Sequence, residues 1–364
     1  MQKRTGKGKM PRAAKTALIL LAVILALVLL MQSPSLTEQL YSNGIYHLFC
    51  WVLRPLTCIF PFSLGDVFYV VLILYIMVGI VHFFRYLFTK RHAELRKLLL
   101  KGVVVFELAW LAFYCFWGMN YYRPAAAELL DLKDTSYRME DVVKVTSLII
   151  DSANACRAQL TPAELADKDN NFYNTSLVAV KNLSAISPKF QTILPRLKPS
   201  MISLIISYMG TSGYYNPFTS EAQINTLMPS FEKPFVACHE LSHQTGWGRE
   251  DEANFAGYLA GTQSNDKLLR YSSYYAGIEE FMRYLRLRDT IAHKVLVKRI
   301  SPLVILDFKA DSAHWAKYQG NASMVSGLFY DRFLKMNNQP HGLHTYNRMI
   351  RLTMAWYRRR YHIW

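Results

Sequence analysis

His239, Glu240 and His243 lie in the run Phe235-Val-Ala-Cys-His-Glu-Leu-Ser-His-Gln-Thr-Gly-Trp-Gly-Arg-Glu-Asp-Glu-Ala-Asn254. The spacing is His-Glu-x-x-His. On a helix of about 3.6 residues per turn, positions four apart share one face, so both imidazoles reach one metal ion. Glu240 sits about 100° round from His239, placed to touch a metal-bound water rather than the ion. Such a set suits metal-assisted hydrolysis, with the carboxylate as the group that takes a proton from water. The five-residue motif also arises by chance, so the surrounding elements must supply a third ligand and a place for substrate.

Those elements are legible on either side. Pro234 suits the first turn of a helix carrying His239 and His243. Gly246 and Gly248 suit its end. A second helix is expected from near Arg249 to Gly261, with Glu250, Asp251 and Glu252 in its first turn. At about 100° per residue, Glu250, Ala253, Asn254, Gly257 and Gly261 share a face of small residues, which lets two helices approach closely. Glu252 lies about 160° away, beside Phe255 and Leu259. Glu250 is therefore the expected third ligand and Glu252 the alternative. Asn254 is placed to hydrogen-bond a ligand histidine. The plainer reading is that these acids only favour the helix N-terminus, which leaves the small face unexplained. Two histidines and a glutamate leave one tetrahedral position for water, the pattern of a catalytic Zn2+ site. Cys238 points to the helix back and reads as a small buried residue. His293, His314, His341 and His344 read by default as surface or core residues, with a minor claim to substrate or oxyanion contacts; Tyr346 and Arg348 are similar.

The 364 residues are 52% hydrophobic, and the apolar excess is concentrated in the first third. Apolar runs at about 14–32, 67–84 and 102–118 approach the ~20 residues that span a bilayer. No small-x-small cleavage site follows the first run, which disfavours a signal peptide. Residues 1–15 hold six Lys/Arg and 85–101 hold six, whereas the first loop holds only Arg54. By the positive-inside rule the N-terminus and the 85–101 segment are cytoplasmic, and residues 119–364 lie outside the cytoplasm. Glu107, inside the third run, is expected to face other helices. The net charge of +16 is partly these flanking clusters, and no basic-aromatic motif points to nucleic acid. The five cysteines form no Cys-x-x-Cys pair, and spacing leaves open whether Cys50 and Cys58 pair.

In the rest of the chain, an amphipathic helix is expected around Leu40–Leu53 and a helix starting at Thr161-Pro162. Met201–Met209 reads as a buried strand or helix. Ser220–Leu227 reads as a short polar strand suited to a sheet edge. The fold class is mainly α, with a small sheet: a membrane domain over 1–118 and an extracytoplasmic domain over 119–364.

With Glu250-x-x-Ala-Asn254 after His239-Glu-Leu-Ser-His243, the chain resembles the gluzincin branch of zinc metallopeptidases. The resemblance implies a zincin-like domain, Zn2+ on His239, His243 and Glu250, and Glu240 as base. The metzincin pattern fails, because Arg249 stands where its third histidine belongs. In gluzincins a strand before the zinc helix pairs with extended substrate; Ala222, Gln223, Ile224 and Asn225 are the matching candidates. The chain also resembles an uncharacterised family of bacterial inner-membrane proteins, through Trp117-Gly-Met-Asn-Tyr-Tyr-Arg123, Gly213-Tyr-Tyr-Asn-Pro-Phe-Thr219, the motif stretch and Tyr330-Asp-Arg-Phe-Leu334. The expected partners are membrane lipid and a peptide or protein substrate of the cell envelope. The competing readings are a signalling or assembly protein that keeps the fold without turnover, and a zinc amidase of cell-wall peptides.

Overall fold

The computed structural model describes residues 10–132, 136–340, 342 and 346–361, the side chains of 346–348 excepted. Among the described residues, three helices are long and apolar enough to cross a membrane: Arg12–Met31, Leu64–Phe88 and His92–Phe116. Their apolar surface is largely exposed, and none of the most apolar stretch of the second is buried, as lipid contact requires. The third span packs against both the first and the second. It begins ten residues before the expected 102, because Ala93-Glu-Leu-Arg-Lys-Leu-Leu-Leu-Lys101 consists of strong helix formers. The expected basic loop over 85–101 shrinks to a tight turn at Thr89–Arg91, with Lys90 left-handed at φ 56°. Glu107 is buried on the third span, and its Oε2 has no hydrogen-bond partner.

The segment between the first two spans is folded. Thr37–Ile45 is π-helical and Tyr46–Cys58 continues as an α-helix. Tyr46, Cys50, Arg54 and Thr57 face inward, while Leu48, Trp51, Val52 and Leu56 face out. This segment packs on the part that follows the third span, so both lie on the same side of the spans, as three crossings demand. Arg54 is fully buried. Its guanidinium donates to Ser220 Oγ (3.0 Å), Thr192 Oγ1 (3.0 Å), the Ile193 carbonyl, Tyr46 Oη (3.1 Å) and the Gln244 carbonyl (2.6 Å). Cys50 and Cys58 are both free.

The core of the C-terminal part is helical. The helix Lys233–Gln244, which carries the motif, packs against Glu250–Thr262, Phe172–Asn182 and Lys267–Arg288. Met139–Ala158 packs along Lys267–Arg288 and contributes Val142, Val145, Ile149 and Ala153 to the apolar interior. Thr161 caps the short helix Pro162–Ala166 reciprocally with Glu164. Met201–Met209 is a short helix over Ser203–Tyr208 rather than a buried element, because Leu204, Ile205 and Tyr208 face outward.

One small sheet lies on the motif helix: β1 (Leu197–Pro199), β2 (Gly213–Asn216) and β3 (Glu221–Ile224), in the order β1-β3-β2. β3 pairs parallel with β1 and antiparallel with β2. This corrects the expectation that Ala222, Gln223, Ile224 and Asn225 form an open edge. β3 is central, and both its backbone edges are used. Its polar side chains have the pattern of an exposed strand, yet each is buried against a distant partner. Glu221 pairs with Lys198 (2.5 Å), the Gln223 amide meets Ser63 Oγ (3.0 Å) and Asn225 bonds Ser207 Oγ (2.8 Å). The edge strand beside the motif helix is β2.

Arg54→Met should lower stability by on the order of 3 kcal/mol, since it strips charged hydrogen bonds from buried carbonyl and hydroxyl groups. Thermal unfolding of the full-length protein in detergent would show a depressed Tm; an unchanged Tm would contradict the role given to Arg54.

Candidate metal centre

The motif helix forms as its residues dictate, with Pro234 in the first turn, where its missing N–H costs no bond. It ends at Gln244, and Gly246 turns the chain in the left-handed region at φ 89°. Gly248 does different work. A Cβ there would stand 3.0 Å from the backbone of Asn120 and Tyr121, so it permits close approach of the chain just past the third span.

The second helix spans Glu250–Thr262 and crosses the first at its small face. A Cβ on Gly257 would lie 3.0 Å from the His239 backbone nitrogen. Gly261, read from the helical wheel as part of that face, instead meets Ser273 of the helix Lys267–Arg288. The close crossing brings Glu250 to the two histidines. Its Oε2 is 3.2 Å from His239 Nε2 and its Oε1 is 3.6 Å from His243 Nε2. The two imidazole rings stand 4.8 Å apart and perpendicular. His239, Glu240 and His243 offer ligand atoms within 4.8 Å of one another, and among the described residues this is the one cluster compact enough for a metal ion. Glu250, closer to both Nε2 atoms, is the carboxylate better placed as a ligand.

The other acid of the first turn faces elsewhere. Glu252 is buried, accepts the Ala126 amide at 2.8 Å and lies 3.5 Å from Arg249. These contacts turn it away from the cluster, in which it takes no part. Asn254 lies beside His239 and favours its protonated form, yet His239 Nδ1 has no bond of normal geometry among the described residues. His243 Nδ1 is 2.7 Å from the Trp247 carbonyl, which fixes a proton there and leaves Nε2 for a ligand bond. The Cys238 thiol is fully buried and is pushed up to about 12 by that burial. His293 and His314 sit on the helices Thr290–Val297 and Pro302–Ala316, and no contact joins either to the cluster among the described residues. His341 and His344 lie outside the described residues, and Tyr346 and Arg348 open the helix Tyr346–Tyr361.

Several neighbours of the cluster carry no spacing signal. Tyr330, on the helix Asn321–Met336, donates its hydroxyl to Glu250 Oε1 at 2.7 Å. Tyr330 is 40% exposed as a residue, but its hydroxyl is turned into the site. Desolvation and the Glu250 charge push that hydroxyl well above its usual value. The Glu250 amide donates to Gln339 Oε1 at 3.2 Å. Gly213 of β2 lies against the motif helix, where a Cβ would meet Glu240 Cγ and Oε1 at 2.9 Å.

Burial disfavours charge on all four groups of the cluster, and their neighbours sort them. Desolvation holds His243 down at about 4, against the attraction of Glu250. Desolvation also opposes protonation of His239, but the bond to Glu250 and the charges of Glu240 and Glu250 outweigh it and raise His239 to about 9. Desolvation pushes Glu240 up to about 8. It would raise Glu250 too, yet the two imidazoles prevail and hold it at about 2. The set is thus an ionised carboxylate bound to a protonated imidazole, with a second imidazole neutral. Two imidazole nitrogens and a carboxylate suit Zn2+, and the proton on His239 marks the place that a cation would take.

The fold and the cluster define a mostly helical protein with three helices able to cross a membrane and a partly buried His-His-Glu centre flanked by a second glutamate. Over residues 41–354 the sequence matches the family described as Protein of unknown function (DUF3810), and the chain belongs to that family. The match includes the folded segment after the first span, the second and third spans and the cluster. No curated protein and no solved structure matches the chain.

Glu250→Ala should weaken zinc binding by roughly 10–100-fold or more, while Glu252→Gln should leave it unchanged and reduce thermal stability. Titration calorimetry and metal analysis separate the two; loss of metal with Glu252→Gln alone would reverse the assignment. The proton that His239 keeps up to about 9 must leave when a cation binds. Zinc affinity should therefore fall by roughly tenfold per pH unit as pH drops below that value, and a pH-independent affinity between 6 and 8 would contradict the assignment.

Proposed function

We propose that this protein is a membrane-anchored zinc metallopeptidase with a zincin-like catalytic domain, hydrolysing peptide bonds of substrates in the bacterial cell envelope. One observation carries the reading: His239, His243 and Glu250 converge, and Glu240 stands beside them against the strand β2. His239 Nε2, His243 Nε2 and Glu250 would hold Zn2+, which supplies a Lewis acid and an acidified water. Glu240 takes the proton of the attacking water and returns it to the leaving amine.

Substrate alignment follows from the register of β2. The Asn225 amide donates to the Ser212 carbonyl at 2.9 Å, so Ser212 and Asn225 form a hydrogen-bonded pair. Bonded pairs in an antiparallel ladder alternate, which turns the backbone groups of Gly213 and Tyr215 away from β3. Those groups have no backbone partner among the described residues. An extended peptide laid along this outer edge would pair with β2 and pass Glu240. Glycine at 213 keeps the strand and the carboxylate in contact. The basic N-terminal residues and the positive-inside rule support an inner-membrane protein with its N-terminus in the cytoplasm and the centre outside it.

Glu240→Gln should retain zinc and lose peptide cleavage by about 10²–10⁴-fold. Gly213→Ala, whose methyl group would press on Glu240 and on the Gln223 carbonyl of β3, should retain zinc and lose about 10²-fold. A Glu240→Gln protein with full activity and full zinc content would overturn the reading.

A further inference from the structure

We propose that the substrate is a polypeptide anchored in the bilayer, cut in the few residues that emerge from it, and that it reaches the centre along β2 from the outer ends of the second and third spans. This deepens the peptidase reading and rests on it. The first observation is distance. Trp117 directly follows the third span; its indole nitrogen donates to the His243 carbonyl at 3.0 Å, and its ring lies 5.6 Å from the His243 imidazole. The ligand helix thus touches the end of a membrane-spanning helix, which leaves little height above the bilayer.

The direction of β2 is the second observation. At one end Gly213 packs on Glu240. Beyond the other end, Phe218 packs on Phe68 of the second span (4.7 Å between rings) and Phe113 of the third (6.5 Å). Between them, Tyr214 lies 5.8 Å from Tyr69 of the second span. At about 3.3 Å per residue, the run from Gly213 to Phe218 covers at most about 17 Å. β2 therefore runs from the proposed base toward the outer ends of two spans; it is partly open at Gly213 and Tyr214 and buried at Tyr215 and Asn216, where Trp117 and Gly65 of the spans' ends pack on it.

The walls of this approach are apolar. The helix Asn321–Met336 covers the centre through Tyr330 and docks on the third span through Phe333 (5.8 Å from Phe113). Just past it, Asn337 accepts the hydroxyl of Tyr114, also in the third span, at 2.8 Å. Leu334 is its one buried residue, whereas Met324, Leu328 and Phe329 are 61%, 60% and 68% exposed. Across the approach, the Met201 amide donates to Asp66 in the first turn of the second span at 2.6 Å, and Leu204, Ile205 and Met209 then face outward. Apolar surface of this extent beside the ends of spans suits lipid and the anchor of a membrane-inserted substrate.

The test uses the full-length protein, wild type and Glu240→Gln, loaded with zinc in liposomes. The probe is a random-sequence library of about 30 residues joined to a leucine-rich span of about 20 residues and inserted in the same vesicles. The same library without the span is supplied in solution, and new termini are mapped by mass spectrometry. The expected result is Glu240-dependent cuts in the anchored library, clustered within about five residues of the span, the reach of the β2 edge. Cuts spread evenly along the anchored library, or confined to the free one, would overturn this proposal and leave the peptidase reading standing. No Glu240-dependent cut in either library would overturn both.

Discussion

The last carbonyls of the motif helix, which have no partner inside the helix, are the constraint on which the structure depends. Such carbonyls need donors from outside the helix. Here the His243 carbonyl takes the Trp117 indole, and the Gln244 carbonyl takes Arg54 and Tyr46. The Gly246 carbonyl, just beyond, takes Arg123 at 3.0 Å. Every one of these donors belongs to a segment flanking a membrane span. Arg54 and Arg123 also set positive charge at the negative end of the helix dipole. The helix that carries His239, Glu240 and His243 is thereby fixed by the segments that flank the three long apolar helices.

The same logic recurs at the other span ends. Glu221 is buried, accepts the Gly65 amide at 2.7 Å where the second span begins, and is balanced by Lys198. A carboxylate at a helix N-terminus offsets that end of the dipole. Glu38, before the second span, is held by Arg123 (2.8 Å) and Lys189 (2.6 Å), and these cations outweigh the burial that would otherwise raise its carboxyl, so it is lowered. These buried pairs join β3 to β1 and to the start of the second span, and join the segment between the first two spans to the chain after the third. Residues 37–58 accordingly behave as part of the unit that holds the centre, not as a linker between spans.

What was legible in the sequence was local. The His239–His243 spacing, Pro234 and the small face that turns Glu250 inward are set within one or two helices, and helical period exposes them. The apolar runs were equally plain, although good helix formers carried the third span back to His92. The sheet order was not legible. Glu221, Gln223 and Asn225 look like an exposed polar edge until their partners Lys198, Ser63 and Ser207 are known. Nor could spacing bring Tyr330 or Gln339 to Glu250, because each is about 80 to 90 residues away in sequence. Arg54 stood out as the lone basic residue of its loop, but only the fold shows that it caps the motif helix.

The most direct test is X-ray absorption at the zinc edge of the full-length, zinc-loaded protein. Imidazole nitrogens and a carboxylate oxygen are expected at about 2.0–2.2 Å, with no sulfur. In Glu250→Ala the imidazole scattering should remain and the carboxylate contribution disappear. A sulfur shell at about 2.3 Å, or a spectrum unchanged in Glu250→Ala, would contradict the assignment of His239, His243 and Glu250 as the ligands.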